Sequence, residues 1–124
     1  MPTVRRRILC AEANDDVSGL IALLLERKGY EVKTTQTIAE TLRLAAAESF
    51  DLYILNDSYI DGDSFDLCRQ LREADPATPV LLFSLDASSR NRDEMLNVGA
   101  QYYVNKTSDF ASLVQAIDRL LRAG

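Results

Sequence analysis

The sequence predicts an open parallel α/β sheet with helices on both faces, and three observations carry the prediction. Hydrophobic runs such as Leu52-Tyr53-Ile54-Leu55 and Val80-Leu81-Leu82-Phe83 are continuous rather than alternating, which marks strands buried on two faces. These runs alternate with segments whose apolar residues recur at helical spacing,. The runs also stop abruptly in polar residues, at Asn56-Asp57-Ser58 and at Ser84. Open α/β sheets gather their sites at such strand C-terminal ends.

Taken in order, Arg7 to Ala11 is the first strand, and Glu12-Ala13-Asn14-Asp15 is a polar loop in which Asn14 or Asp15 can cap a helix,. Val17, Leu20, Ile21, Leu24 and Leu25 then fall at helical spacing, and Gly29 stops that helix,. Tyr30 to Thr34 alternates as a second strand, and Thr37 caps a second helix through Glu48 with Ile38, Leu42, Ala45 and Ala46 inward. The third strand runs from Asp51 to Asn56, followed by a loop with a turn signal at Asp61-Gly62,. A third helix from Ser64 to Glu73 is broken by Asp75-Pro76,. Pro79 to Ser84 is the fourth strand, Ser88 to Val98 a more polar fourth helix closed by Gly99, and Gln101 to Asn105 the fifth strand. Asp109 caps a last helix with Phe110, Leu113, Ile117, Leu120 and Leu121 inward. Five strands alternating with five helices, joined by right-handed crossovers, give one (βα)5 doubly wound domain over residues 1–124. The expected strand order is the flavodoxin-like 2-1-3-4-5.

Bulk properties exclude several classes. A net charge of −5, with Arg5-Arg6-Arg7 as the one basic run, argues against sequence-independent nucleic-acid binding, which needs a basic face. The absence of histidine excludes a histidine-based triad and disfavours a zinc site. Cys10 and Cys68 sit in apolar patterns and read as buried thiols, not a disulfide framework. No apolar stretch reaches the length of a membrane span and no signal-peptide core is visible, so a cytoplasmic location is expected.

In a parallel sheet the strand C-terminal ends share one edge. That edge receives Glu12 and Ala13 from the first strand, Asn56 from the third, Ser84 from the fourth and Lys106 from the fifth. Strand alternation is expected to turn Asp57 away from the face that Asn56 presents. Asp15 and Asp16 read as first-turn residues of a helix. Asp61 and Asp63 read as a solvated turn, since no full calcium-ligand series follows them.

On ILCAEAND, ERKGYEV, FDLYILNDSYIDGDSFDLCRQLR, PVLLFS and GAQYYVNKT, the chain resembles the receiver domains of two-component response regulators from Ile8 to Leu121. The resemblance implies a signalling module rather than an enzyme. It implies an aspartate at the end of the third strand that takes a phosphoryl group from a histidine kinase. It also implies Mg²⁺ held by an acidic pair after the first strand, a hydroxyl and a lysine on the phosphoryl oxygens, and a switch aromatic on the fifth strand. Position by position, Glu12, Ser84, Lys106 and Tyr103 match, but the acceptor is Asn56 and the second acid is Ala13. The proline expected after the third strand is Ile60, and Leu85 is bulkier than the usual residue.

An amide oxygen is a weak nucleophile and forms no stable acyl phosphate. Mg²⁺ favours several hard, anionic oxygens, and Glu12 with Lys106 leaves this site formally neutral. The expectation is therefore a pseudo-receiver with Mg²⁺ binding lost or weak, regulated without phosphate and acting through protein–protein contacts. The partner is a histidine kinase or an effector domain, and the fourth helix, fifth strand and fifth helix form the candidate homodimer face. That face carries Arg90, Arg92, Asp93, Glu94, Asp109, Asp118, Arg119 and Arg122. The alternative is a phosphorelay receiver that uses Asp57. A nucleotide- or flavin-binding domain is disfavoured, because the acidic EANDD loop has no glycine cradle for phosphate,.

Overall fold

The computed structural model describes residues 5–84, 89–105 and 110–122, with only the backbone for 89–92 and 105. Five strands, β1 (Arg7–Ala11), β2 (Glu31–Thr35), β3 (Leu52–Leu55), β6 (Val80–Ser84) and β7 (Tyr102–Asn105), form one sheet in the order β2-β1-β3-β6-β7. Every pairing in it is parallel. This is the doubly wound order predicted. Between β3 and the next helix lies a two-stranded antiparallel hairpin, β4 (Ser58–Tyr59) and β5 (Gly62–Asp63), where the sequence suggested only a loop. The helices are α1 (Asp15–Arg27), α2 (Ile38–Ala47), α3 (Ser64–Ala74), α4 (Ser89–Asn97) and α5 (Phe110–Arg122).

Strand alternation divides the core into two layers. Leu9, Tyr53, Leu55, Val80 and Leu82 pack with Leu67, Leu71 and Met95 beneath α2, α3 and α4. Ile8, Cys10, Leu52, Ile54, Leu81 and Phe83 pack with Ile21, Leu25, Leu113 and Ile117 beneath α1 and α5. Both faces of the central strands are covered, which is why their hydrophobic runs are unbroken. Cys10 and Cys68 are buried and do not form a disulfide, as expected.

The helix starts are set locally. The Asn14 side chain accepts the Val17 amide at 3.1 Å, and Thr37 Oγ1 accepts the Glu40 amide at 3.1 Å. Asp63 accepts the Asp66 amide at 3.0 Å. Each satisfies a helix N–H that would otherwise lack a partner. At the far end of α1, Gly29 takes φ +96°, a conformation glycine adopts without penalty as a helix closes. No helix among the described residues is long and apolar enough to cross a membrane.

Candidate functional site

The C-terminal ends of β1 and β3 open onto a cleft of about 590 Å³, lined in part by Glu12, Ala13, Asn14, Asn56, Asp57 and Phe83. Glu12 is 2% exposed. Its backbone N–H donates to Thr35 O at 2.9 Å, and its carboxylate accepts the Asn14 amide at 3.2 Å. Ala13 contributes no donor or acceptor from its side chain. The Asn56 carboxamide donates across 3.4 Å to the Ser58 carbonyl.

Asp57 does not face away. It lines the cleft, and its carboxylate accepts a hydrogen bond from the Ser84 hydroxyl. The expectation carried strand alternation along a strand that ends at Leu55, two residues short of Asp57. The β3–β6 ladder pairs Tyr53 with Val80, Ile54 with Leu81 and Leu55 with Leu82. The ladder stops there, and beyond it the two segments meet through the Asp57–Ser84 hydrogen bond. Ser84 shares its side of β6 with Val80 and Leu82, and the Asp57 carboxylate reaches that side.

The third strand also ends earlier than expected, at Leu55 rather than Asn56. Tyr59 is the cause. Its hydroxyl accepts the Asn56 N–H at 2.8 Å and donates to the Ala11 carbonyl at 2.7 Å. One phenol thus bridges a donor on the β3 side and an acceptor on β1, just past the last paired residues, Ala11 and Leu55. The ring is 7% exposed and packs in the core layer under α2 and α3. Burial, with the Glu12 and Asp57 carboxylates adding to it, pushes the phenol far above its ordinary range, so Tyr59 stays a neutral O–H donor.

The hairpin that carries Tyr59 is anchored at both ends. At its base the Ser64 N–H donates to the Asp57 carbonyl at 3.2 Å. At its turn the Asp61 carboxylate accepts the Ile38 and Ala39 amides at 2.9 and 3.0 Å, so it caps α2 from outside that helix. Asp61 is therefore a cap and not merely a solvated turn residue. The two amide donors hold its carboxyl below the ordinary 3.8,. A carboxylate with a lowered folded value stabilises the native state above its unfolded value and loses that contribution as pH falls through the folded one. Asp61→Ala is expected to lower Tm at neutral pH, with the gap to the unmodified chain closing as pH drops below 3.8. Thermal melts across that range check it; a gap independent of pH would show that the charge plays no part. Ile60 at the hairpin tip is 93% exposed.

Comparison with known proteins adds the family. Residues 8–118 match the model of the response regulator receiver domain. The chain belongs to that family. Among curated relatives, the uncharacterized transcriptional regulatory protein YkoG of Bacillus subtilis is 30% identical over 115 residues, covering 93% of this chain and 50% of that protein. The protein PetR of Rhodobacter capsulatus is 30% identical over 115 residues, covering 93% of this chain and 48% of its own. This receiver domain thus spans about half the length of these two relatives. Among solved structures, the chemotaxis protein CheY4 of Vibrio cholerae superimposes with a TM-score of 0.89 at 22% identity, over 95% of this chain and 100% of that one. The non-phosphorylated HemR receiver domain of Leptospira biflexa gives 0.87 at 25% identity over 94% of each.

The remaining predicted residues of the receiver domain divide as follows. Lys106, Leu85 and Asp109 lie outside the described residues, as do the side chains of Arg90 and Arg92. Tyr103 is half-buried, pairs in register with Leu82 and packs against the core layer under α3 and α4. Asp118 and Arg122 are engaged within the chain at the α1–α5 seam. The Arg122 guanidinium donates to Asp118 at 2.9 Å and to the Lys28 carbonyl at 2.6 Å, and the Tyr30 hydroxyl donates to Asp118 as well. Sequence reasoning missed the roles of Tyr59 and Asp61. Both act across more than twenty residues of chain, and no local pattern signals such a contact.

Proposed function

We propose that this receiver domain signals through protein–protein contacts and does not take a phosphoryl group at residue 56. The observation that carries the reading is the donor set at the strand ends. Residue 56 presents an amide, residue 13 presents a methyl group, and the Ser84 hydroxyl is already given to Asp57. Among the described residues, no group of three or more histidine, cysteine or acidic side chains is placed to hold a metal ion. Glu12 and Asp57 supply fewer acids than the family pattern brings to a Mg²⁺ site, so metal binding here is expected to be weak. Partners are a histidine kinase or an effector domain that reads the surface. The candidate face is the groove where Tyr102, Ala116, Arg119 and Leu120 meet beside β7 and α5. Tyr102 there is a partly exposed aromatic, 40% accessible, beside a cationic side chain, a pairing that anchors interfaces. A second copy of the chain is the alternative occupant of that face.

One observation favours a second reading. Asp57 places a carboxylate in the cleft, next to the hydroxyl that the family resemblance assigns to the phosphoryl group. Under it, an Asp57 oxygen attacks phosphorus as the bond to the donor's leaving group breaks. Exposure to a small phosphodonor with Mg²⁺, read by intact mass, separates the two. The first reading expects an unchanged mass; a stoichiometric adduct on Asp57 selects the second.

A further inference from the structure

We infer that Asp57 is an internal anion that clamps the C-terminal end of β6, and that Tyr59 is the positioning residue that aims it there. The inference rests on the phosphorylation-independent reading above and says what holds the site in place of a phosphoryl group.

The geometry is as follows. The β3–β6 ladder ends at Leu55 and Leu82. Beyond it, the strands are joined by side chains, through the Ser84 hydroxyl on the Asp57 carboxylate. Ser84 is fully buried at the last residue of β6 and lies in register with Asn105 of β7. A bond to Ser84 therefore ties the hairpin-bearing segment to the two strands on the far side of the sheet. A hydroxyl-to-carboxylate hydrogen bond in such a place belongs to the stronger class. It also holds the position at Ser84 that an incoming anion would need, and the negative charge of Asp57 would repel such an anion.

Tyr59 makes this arrangement possible. Were β3 to continue as a strand, the Asn56 N–H would need a backbone acceptor. The Tyr59 hydroxyl takes that N–H and separately satisfies the Ala11 carbonyl. The chain is then free to leave the ladder after Leu55, with the Asp57 carbonyl closing the hairpin through the Ser64 amide. The Asp57 side chain is thereby fixed from both ends of a short segment. Tyr59 touches neither Ser84 nor any reacting atom in this scheme; it acts through Asp57.

The test is amide hydrogen exchange on the whole chain for Asp57→Ala, Ser84→Ala, the double variant and Tyr59→Phe. The clamp predicts faster exchange at Leu82–Ser84 and Tyr102–Val104 in Asp57→Ala, by about ten- to a hundredfold, the effect of losing one hydrogen bond to a charged group. Exchange at Ile8–Cys10, on the other side of β3, stays constant. Ser84→Ala gives the same result, and the double variant adds nothing to either single change. Tyr59→Phe, which keeps the ring in the core, raises exchange at the same residues. No change at β6 and β7, additive effects, or a uniform rise across the sheet overturns the clamp. Phosphodonor exposure of the unmodified chain is run alongside. A phosphoryl adduct there overturns the reading on which the clamp rests, whereas unchanged exchange without an adduct overturns the clamp alone.

Discussion

Phe83→Ala is expected to lower stability by about 3–5 kcal/mol, the range for removing a buried aromatic from a packed core. Phe83 is 1% exposed and sits on β6 directly before Ser84. Its ring meets Phe110 edge-on, with centroids 5.8 Å apart, and packs in the layer beneath α1 and α5. The substitution removes both the apolar burial and the aromatic pair, the latter worth about 1 kcal/mol. Small domains have only about 5–15 kcal/mol to lose, so chemical denaturation should show a midpoint far below that of the unmodified chain at an unchanged slope. Phe83 also lines the cleft, so the same change deepens the site. A loss under about 1 kcal/mol would mean that Phe110 and its neighbours collapse into the space, contrary to a rigidly packed layer beneath α1 and α5.

The second large effect is a gain. Replacing Ala13 and Asn56 together, Ala13→Asp with Asn56→Asp, supplies the two carboxylates that the family pattern has and this chain lacks. Four acids, counting Glu12 and Asp57, would then crowd one cleft. Without metal, their mutual repulsion is expected to lower Tm. With Mg²⁺ the repulsion is relieved and binding to the native state adds stability, about 2.7 kcal/mol at a hundredfold excess over Kd. The signature is a Tm that falls on substitution and recovers with Mg²⁺, while the unmodified chain shows no such dependence. Phosphoryl uptake from a small phosphodonor follows if the remaining groups are competent. A variant that gains Mg²⁺ but stays unphosphorylated would locate the obstruction in the Asp57–Ser84 bond. Adding Ser84→Thr would not release that bond, whereas Asp57→Ala would.

The fold was legible because its signals are local and repeated. Continuous runs such as Leu52–Leu55 read as strands buried on both faces, and Asn14 and Thr37 each mark a helix start within three residues of the amide they satisfy, whereas Asp63, read as a solvated turn residue, caps α3. The site was half legible. Glu12, Asn56 and Ser84 follow from knowing where strands end, but Asp57 lies two residues past the end of β3, where strand alternation no longer sets its side. Tyr59 was invisible for a different reason. As a Tyr in a polar turn it looks like a surface residue, and its hydroxyl finds Ala11 only after β1 and β3 have paired. Asp61 likewise reads as turn chemistry until α2 is folded beside it. For Tyr59 and Asp61 a polar side chain satisfies a backbone group distant in sequence, which is the kind of contact that tertiary packing decides and local pattern does not.

The central claim is that this receiver domain works without accepting a phosphoryl group. Intact mass of the unmodified chain, after incubation with a small phosphodonor and Mg²⁺, tests it most directly, with the Ala13→Asp/Asn56→Asp chain as a positive comparison. No adduct is expected on the unmodified chain. A stoichiometric phosphoryl adduct that maps to the peptide carrying Asp57, and disappears in Asp57→Ala, would contradict it.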